Sequence, residues 1–282
     1  MKLSEYKEKF SSCTCIGKGG QKTVYKVDDT LNNCNYALKI VEAPNDPRIQ
    51  QEIAILRSID IQGVPHILDY GMVEDDISKD ILLYILEEYI EGESLRTILI
   101  REKNVSTKIA ITILERLLDI ETQLEERAIL HRDIKPDNII IGRNDAVYLI
   151  DFGIAKILGE SSLTRTAAQN GPCTPAYAPI ELATNMKRHQ DVRIDLYQIG
   201  LTVYESLIGY NPFSNGAKNQ QEVFARGKTI MPPSIQIPGD TQGLLMQYIS
   251  MLIAKNPSQR PNSAKDAKRY YDAIRSTINI GR

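Results

Sequence analysis

The sequence of 282 residues is short of sulfur, of net charge and of long apolar runs, and each shortage excludes something. Its four cysteines are Cys13, Cys15, Cys34 and Cys173. Cys13-Thr14-Cys15 is not a zinc-ligand spacing, and no second pair or histidine cluster lies near it to complete a tetrahedral site. They read as reduced thiols packed as small hydrophobes, in a chain long enough to bury a core without disulfide staples. With 34 Lys+Arg against 36 Asp+Glu the formal charge is −2. A protein built to hold nucleic acid or an anionic membrane needs a basic footprint, so neither partner is expected. The longest apolar candidate, Ile81 to Leu86, falls far short of the ~18 residues that span a bilayer. The N-terminus turns charged at Lys2 and Glu5 instead of building the core of a signal peptide. A soluble, cytoplasmic chain is the expectation. At 42% hydrophobic and 25% charged residues, without repeats or a low-complexity tail, it reads as globular.

The chain changes texture along its length. Ser12 to Ile16, Thr23 to Val27 and Asn35 to Val41 are short runs rich in β-branched and aromatic residues, separated by glycine-rich and Asp/Asn-rich turns. They predict an antiparallel meander. Pro47 opens a helix with Ile49, Ile53, Leu56 and Ile59 on one stripe, expected to lie against that meander. Two further apolar runs follow, the second ending in Glu87-Glu88-Tyr89-Ile90-Glu91-Gly92. Beyond it the pattern is mostly helical. Lys108 to Arg127 carries Ile109, Ile113, Leu117, Ile120 and Leu124 on one face, and Ile194 to Ile208 and Leu244 to Ala254 are comparably apolar. The reading is α+β: a small β-rich lobe over residues 1–88 and a larger helical lobe over residues 89–282, forming one functional domain.

The chemistry concentrates in His131-Arg132-Asp133-Ile134-Lys135-Pro136-Asp137-Asn138, followed thirteen residues after Asn138 by Asp151-Phe152-Gly153. Two strand-like pieces, Asn138 to Ile141 and Val147 to Ile150, are joined by Gly142-Arg143-Asn144-Asp145, a hairpin that folds the two motifs together. Two carboxylates, a cation and an amide then converge. Asp151 and Asn138 can offer oxygens to Mg²⁺, Lys135 can neutralise charge on a moving phosphoryl group, and Asp133 can orient a hydroxyl and take its proton. Singly these are ordinary loop residues; at this spacing they are the inventory of phosphoryl transfer.

On these strings the sequence resembles the eukaryotic-type serine/threonine protein kinases, including their bacterial members, over roughly Phe10 to Ile274. The resemblance implies a bilobal kinase fold, ATP and Mg²⁺ (with Mn²⁺ as the alternative) as cofactors, and a protein substrate. Tyr36-Ala37-Leu38-Lys39 looks like the family's Val-Ala-Ile-Lys element, which makes Lys39 the lysine for the α and β phosphates and Glu52 its partner. Lys39, Glu52, Asp133 and Lys135 form the implied catalytic set, and Asn138 and Asp151 the metal ligands. Ile16-Gly17-Lys18-Gly19-Gly20-Gln21-Lys22-Thr23-Val24-Tyr25 is similar to the glycine-rich loop over the nucleotide phosphates. Lys22 departs from it, standing at the third glycine position. The implied nucleotide set is Ile16, Gly17, Lys18, Gly19, Gly20, Val24, Ala37, Lys39, Glu87, Glu88, Tyr89 and Ile90. Glu87 is a second departure, a carboxylate behind the adenine pocket where the family has an apolar residue or threonine. It must find a partner or stay wet.

The stretch from Asp151 to Glu181 corresponds to the family's activation segment, with Ser161, Ser162, Thr164 and Thr166 as candidate phosphoacceptors, Thr164 and Thr166 first. Thr174 resembles the threonine that contacts the catalytic aspartate, Arg260 the ion-pair partner of Glu181, and Asp195 the aspartate that holds the catalytic loop's backbone. Lys135 favours Ser/Thr over Tyr as acceptor. Two alternatives stand beside an autophosphorylating Ser/Thr kinase: a pseudokinase scaffold, and a small-molecule phosphotransferase on a related fold. The retained Lys39, Glu52, Asp133, Asn138 and Asp151 argue against the first, and the Ser/Thr-rich segment against the second.

Overall fold

The computed structural model describes residues 1–18, 22–29, 32–152, 156–157, 174–184 and 190–280. The chain divides into two compact units, Met1–Asp60 with Val64–Glu91 and Ile61–Gly63 with Gly92–Arg282.

The first unit opens with a short helix α1 (Leu3–Lys7), then β1 (Ser12–Lys18), β2 (Lys22–Asp29), β3 (Cys34–Val41), helix α2 (Pro47–Ser58), β4 (Ile67–Glu74) and β5 (Ile81–Glu88). The five strands form one sheet in the order β1-β2-β3-β5-β4, antiparallel at each pairing. Alternation along the strands sends side chains to opposite faces. On one face Val27, Leu38, Ile40, Val73, Leu82, Tyr84 and Leu86 bury against Tyr6 of α1. On the other, Val41, Leu83 and Ile85 pack on Ile53 of α2, so the apolar stripe of that helix meets the sheet. Each such fully buried aliphatic side chain contributes about 1.5–3 kcal/mol.

The thiols require a correction. Cys13, Cys15 and Cys34 are free but exposed, not packed as small hydrophobes. The reason lies in sheet order: β1 is an edge strand with most of its residues exposed, and Cys34 begins β3 beyond the part that the core covers. Cys173 lies outside the described residues.

The second unit contains β6 (Gly92–Ser94), α3 (Leu95–Glu102), α4 (Thr107–Glu126), β7 (Ile129–Leu130), β8 (Ile139–Gly142), β9 (Val147–Leu149), β10 (Lys156–Ile157), α5 (Ile180–Ala183), α6 (Arg193–Ile208), α7 (Gln220–Thr229), α8 (Leu244–Leu252) and α9 (Ala264–Arg275). Serine side chains cap three of its helices: Ser94 accepts from Thr97 N–H, Ser106 from Ile109 N–H and Ser263 from Asp266 N–H. The core helix is α6, buried from Ile194 to Ser206, with α4 and α8 among the helices that pack on it. Gly200 permits that packing, since a Cβ there would stand 2.6 Å from Leu252 Cβ. β8 and β9 make the predicted hairpin, turned by Asn144 and Asp145 at φ of 56° and 60°, left-handed values that Asn and Asp tolerate. Among the described residues no helix is long and apolar enough to cross a membrane.

Candidate active site

In the second unit the string His131 to Asn138 forms a loop that leads into β8, and buried groups fix it from behind. The Asp195 carboxylate, on the first turn of α6, accepts the backbone N–H of His131 at 2.8 Å and of Arg132 at 2.7 Å. Gln198, one turn further along, accepts Ile134 N–H at 2.9 Å and donates to the Arg132 carbonyl at 2.7 Å. These four bonds hold Arg132 at φ 66°, a left-handed conformation that costs a non-glycine residue about 1–3 kcal/mol. His131 is fully buried, its ring edge-on to Phe152 at 4.5 Å, and accepts Asp133 N–H at Nδ1. Burial pushes its imidazole down to about 4, so it is neutral at pH 7.

The loop thereby presents three side chains to one another. Lys135 Nζ lies 2.7 Å from Asp133 Oδ2 and 2.7 Å from Thr174 Oγ1, and the Thr174 hydroxyl donates to Asp133 Oδ1 at 2.8 Å. Asn138 donates its amide N–H to the Asp133 carbonyl at 2.9 Å and to Asp133 Oδ2 at 3.1 Å, which leaves its amide oxygen for another ligand. The Asn138 carbonyl accepts Ile150 N–H at 2.9 Å, which ties the loop to the residue before Asp151. Asp151 stands at φ 66°, half-buried, beside the buried Phe152. Thr174, Asp195 and the Glu181–Arg260 pair stand where the motifs predict them. Arg260 donates to Glu181 at 2.5 Å, with both side chains buried.

In the first unit Ala37 and Lys39 lie on the α2-facing side of the sheet. Lys39 is 7% exposed, and its ammonium is 2.6 Å from both oxygens of Glu87 and 3.7 Å from Glu52. Glu52, on α2, is buried and also takes Lys22 at 3.4 Å. The carboxylate that needed a partner has one, and it binds Lys39 more closely than Glu52 does. Val24 pairs across the sheet with Lys39, Gly17 pairs with Val24, and Ile16 and Lys18 on β1 are exposed. Glu88 holds His66 at 3.2 Å, and hydrogen bonds to Glu88 and Asp60 raise the His66 pKa although burial opposes it. Tyr89 carries the Lys26 ammonium over its ring at 4.8 Å, and Ile90 is half-buried. Gly19, Gly20, Gly153, Ser161, Ser162, Thr164 and Thr166 lie outside the described residues.

Some supporting residues have no motif to announce them. Gln198 is one. Another is Arg96, which donates to Glu205 at 2.7 Å and to Tyr177 at 2.6 Å and so ties α3 to α6 and the stretch after Thr174. Glu121 had a signal: it sits four residues after Leu117, on the apolar face of α4, where a carboxylate is out of pattern.

Taken each by itself, the sheet unit carries a buried lysine beside two glutamates, and the helical unit presents a loop in which an aspartate, a lysine and an asparagine meet. The model of the protein kinase domain matches residues 10–271, and the chain belongs to that family. A probable serine/threonine-protein kinase of Clostridium perfringens is 30% identical over 275 residues, 94% of this chain and 38% of the relative. The serine/threonine-protein kinase PknA of Corynebacterium glutamicum is 28% identical, covering 92% of this chain and 55% of the relative. PknB of Mycobacterium tuberculosis is 29% identical, covering 94% and 42%. The chain thus spans about two fifths to a little over half the length of these relatives.

Proposed function

We propose that this chain is an ATP-dependent protein serine/threonine kinase that transfers the γ-phosphate to hydroxyls of a protein substrate and to its own Ser/Thr-rich segment. The triangle of Asp133, Lys135 and Thr174 carries the reading. A carboxylate that already accepts an aliphatic hydroxyl at 2.8 Å can accept the substrate's in the same way and take its proton as the new O–P bond forms. Lys135, 2.7 Å from that carboxylate, brings positive charge to the transferring group, and a lysine so close to the base suits a short alcohol. The relatives' names, serine/threonine-protein kinases, point the same way.

The donor set fits a hard divalent cation. Asp151 supplies a carboxylate and Asn138 the amide oxygen that its bonds to Asp133 leave over. Mg²⁺ is the metal we assign, with Mn²⁺ able to take the same oxygens; bound with ATP, it supplies charge neutralisation at the phosphates. Lys39 holds the α and β phosphates, oriented by Glu87 at 2.6 Å with Glu52 at 3.7 Å behind it. Ile16, Gly17, Lys18, Gly19, Gly20, Val24 and Ala37, together with Glu87, Glu88, Tyr89 and Ile90, line the remainder of the nucleotide.

Incubation with γ-labelled ATP, Mg²⁺ and a generic basic protein should label the protein, and Asp133→Asn should slow labelling by at least ~10²-fold. Label on small alcohols alone would move the reading to a small-molecule phosphotransferase. Nucleotide binding without transfer would leave a binding module.

A further inference from the structure

Lys22 and Glu87, the two departures from the kinase pattern, lie sixty-five positions apart in sequence, and the structure joins them. The register sets Val24 opposite Lys39 and Ala37 opposite Glu87. Since directly paired residues share a face and alternate residues return to it, Lys22, Lys39 and Glu87 all project to the side on which α2 packs. There the partners are interleaved. Glu87 takes Lys39 at 2.6 Å, leaving Glu52 at 3.7 Å from it, and Lys22 approaches the same Glu52 oxygen at 3.4 Å. Both carboxylates are nearly fully buried, at 2% and 1% exposure, so charge imbalance among the four is poorly screened.

Two lysines and two glutamates sum to zero, as does the family pattern of one lysine and one glutamate. Glu87 without Lys22 would leave −1, and Lys22 without Glu87 would leave +1. We propose that Lys22 and Glu87 are a compensating pair of positioning residues: Glu87 draws Lys39 from Glu52, Lys22 takes the vacated partner, and together they set the charge offered to nucleotide phosphates. Burial pushes the Glu87 carboxyl up, Glu52 adds to the rise, and Lys39 and Lys22 oppose it, which places all four groups in one field. The inference rests on the kinase reading for its ligand but not for its geometry.

The test is a double-mutant cycle on Lys22→Gln and Glu87→Gln, with Glu87→Met in reserve should Glu87→Gln not fold. Two quantities are read: Mg·ADP affinity by calorimetry, and the unfolding equilibrium of the ligand-free chain. Glu87→Gln, with one positive charge in surplus, should bind Mg·ADP about tenfold tighter. Lys22→Gln, with Lys39 left between two carboxylates, should bind it about tenfold more weakly. The double variant should fall between them. In the ligand-free chain the double variant's shift in unfolding constant should be at least about fivefold smaller than the product of the single shifts. Single variants that shift affinity in the same direction, or that multiply through independently, would overturn the pairing. A native chain that does not bind Mg·ADP at millimolar concentration would overturn the kinase reading instead, while the ligand-free cycle still decides the pairing.

Discussion

The carboxylate of Asp195 lies 2.7 Å from the backbone nitrogen of Arg132, one residue before the proposed base, and it does so with a second carboxyl group at its back. That group is Glu121 of α4, fully buried, with no hydrogen-bond donor reaching either oxygen among the described residues. Burial, and then the Asp195 charge, push the Glu121 carboxyl well above its ordinary value of 4.5. Burial lifts Asp195 too, to about 6, against the two backbone N–H groups that it accepts, so at pH 7 it keeps its charge and Glu121 carries the proton.

This arrangement makes stability depend on pH with a definite sign. A carboxyl whose folded pKa is raised contributes stability that is fully present below its unfolded value, near 4.5, and lost as pH rises through the folded value. Glu121→Gln removes the ionisable group but keeps the shape. Urea unfolding should find the variant more stable than the native chain at pH 8 by about 1 kcal/mol or more, with the difference vanishing near pH 4. A constant difference across that range would refute the assignment of the proton.

Arg260 is held by more than its ion pair. Besides Glu181, its guanidinium donates to the carbonyls of Ala254 at 2.8 Å, Arg193 at 2.9 Å and Lys255 at 3.3 Å, and it lies over the Tyr197 ring at 4.8 Å. Arg260→Met strands a buried carboxylate and three carbonyls, and should cost about 3–5 kcal/mol in denaturant unfolding. Adding Glu181→Gln should recover part of that loss, because the stranded charge goes with it. No recovery would mean that the lost packing, and not the unpaired charge, dominates.

What could be read from the sequence divides along physical lines. The loop from His131 to Asn138 is local, its members within eight residues, so residue order alone brings Asp133, Lys135 and Asn138 together. Helical periodicity located α2, α4, α6 and α8, and β-branched runs located β1 to β3. The contact of Lys39 with Glu87 was out of reach, because it depends on the register of β3 against β5, and a two-residue slip would place another side chain there. The exposure of Cys13 and Cys15 follows from β1 standing at the sheet edge, which strand composition does not reveal. α1 and α7 escape such a reading because their apolar stripes are short or weak, and α9 because the residues it buries are Ala264, Ala267 and Tyr271 instead of large aliphatics, although Tyr6 of α1 is buried in the sheet core.

The central claim is that Asp133 serves transfer of phosphate from ATP to a protein alcohol. The most direct measurement is mass spectrometric mapping of the purified chain after incubation with Mg·ATP, alongside Asp133→Asn. The account predicts phosphoester on serine or threonine hydroxyls, Thr164 and Thr166 foremost, and its loss in the variant. Phosphate at equal levels on the variant, or on no hydroxyl of any protein supplied while ATP is bound, would contradict it.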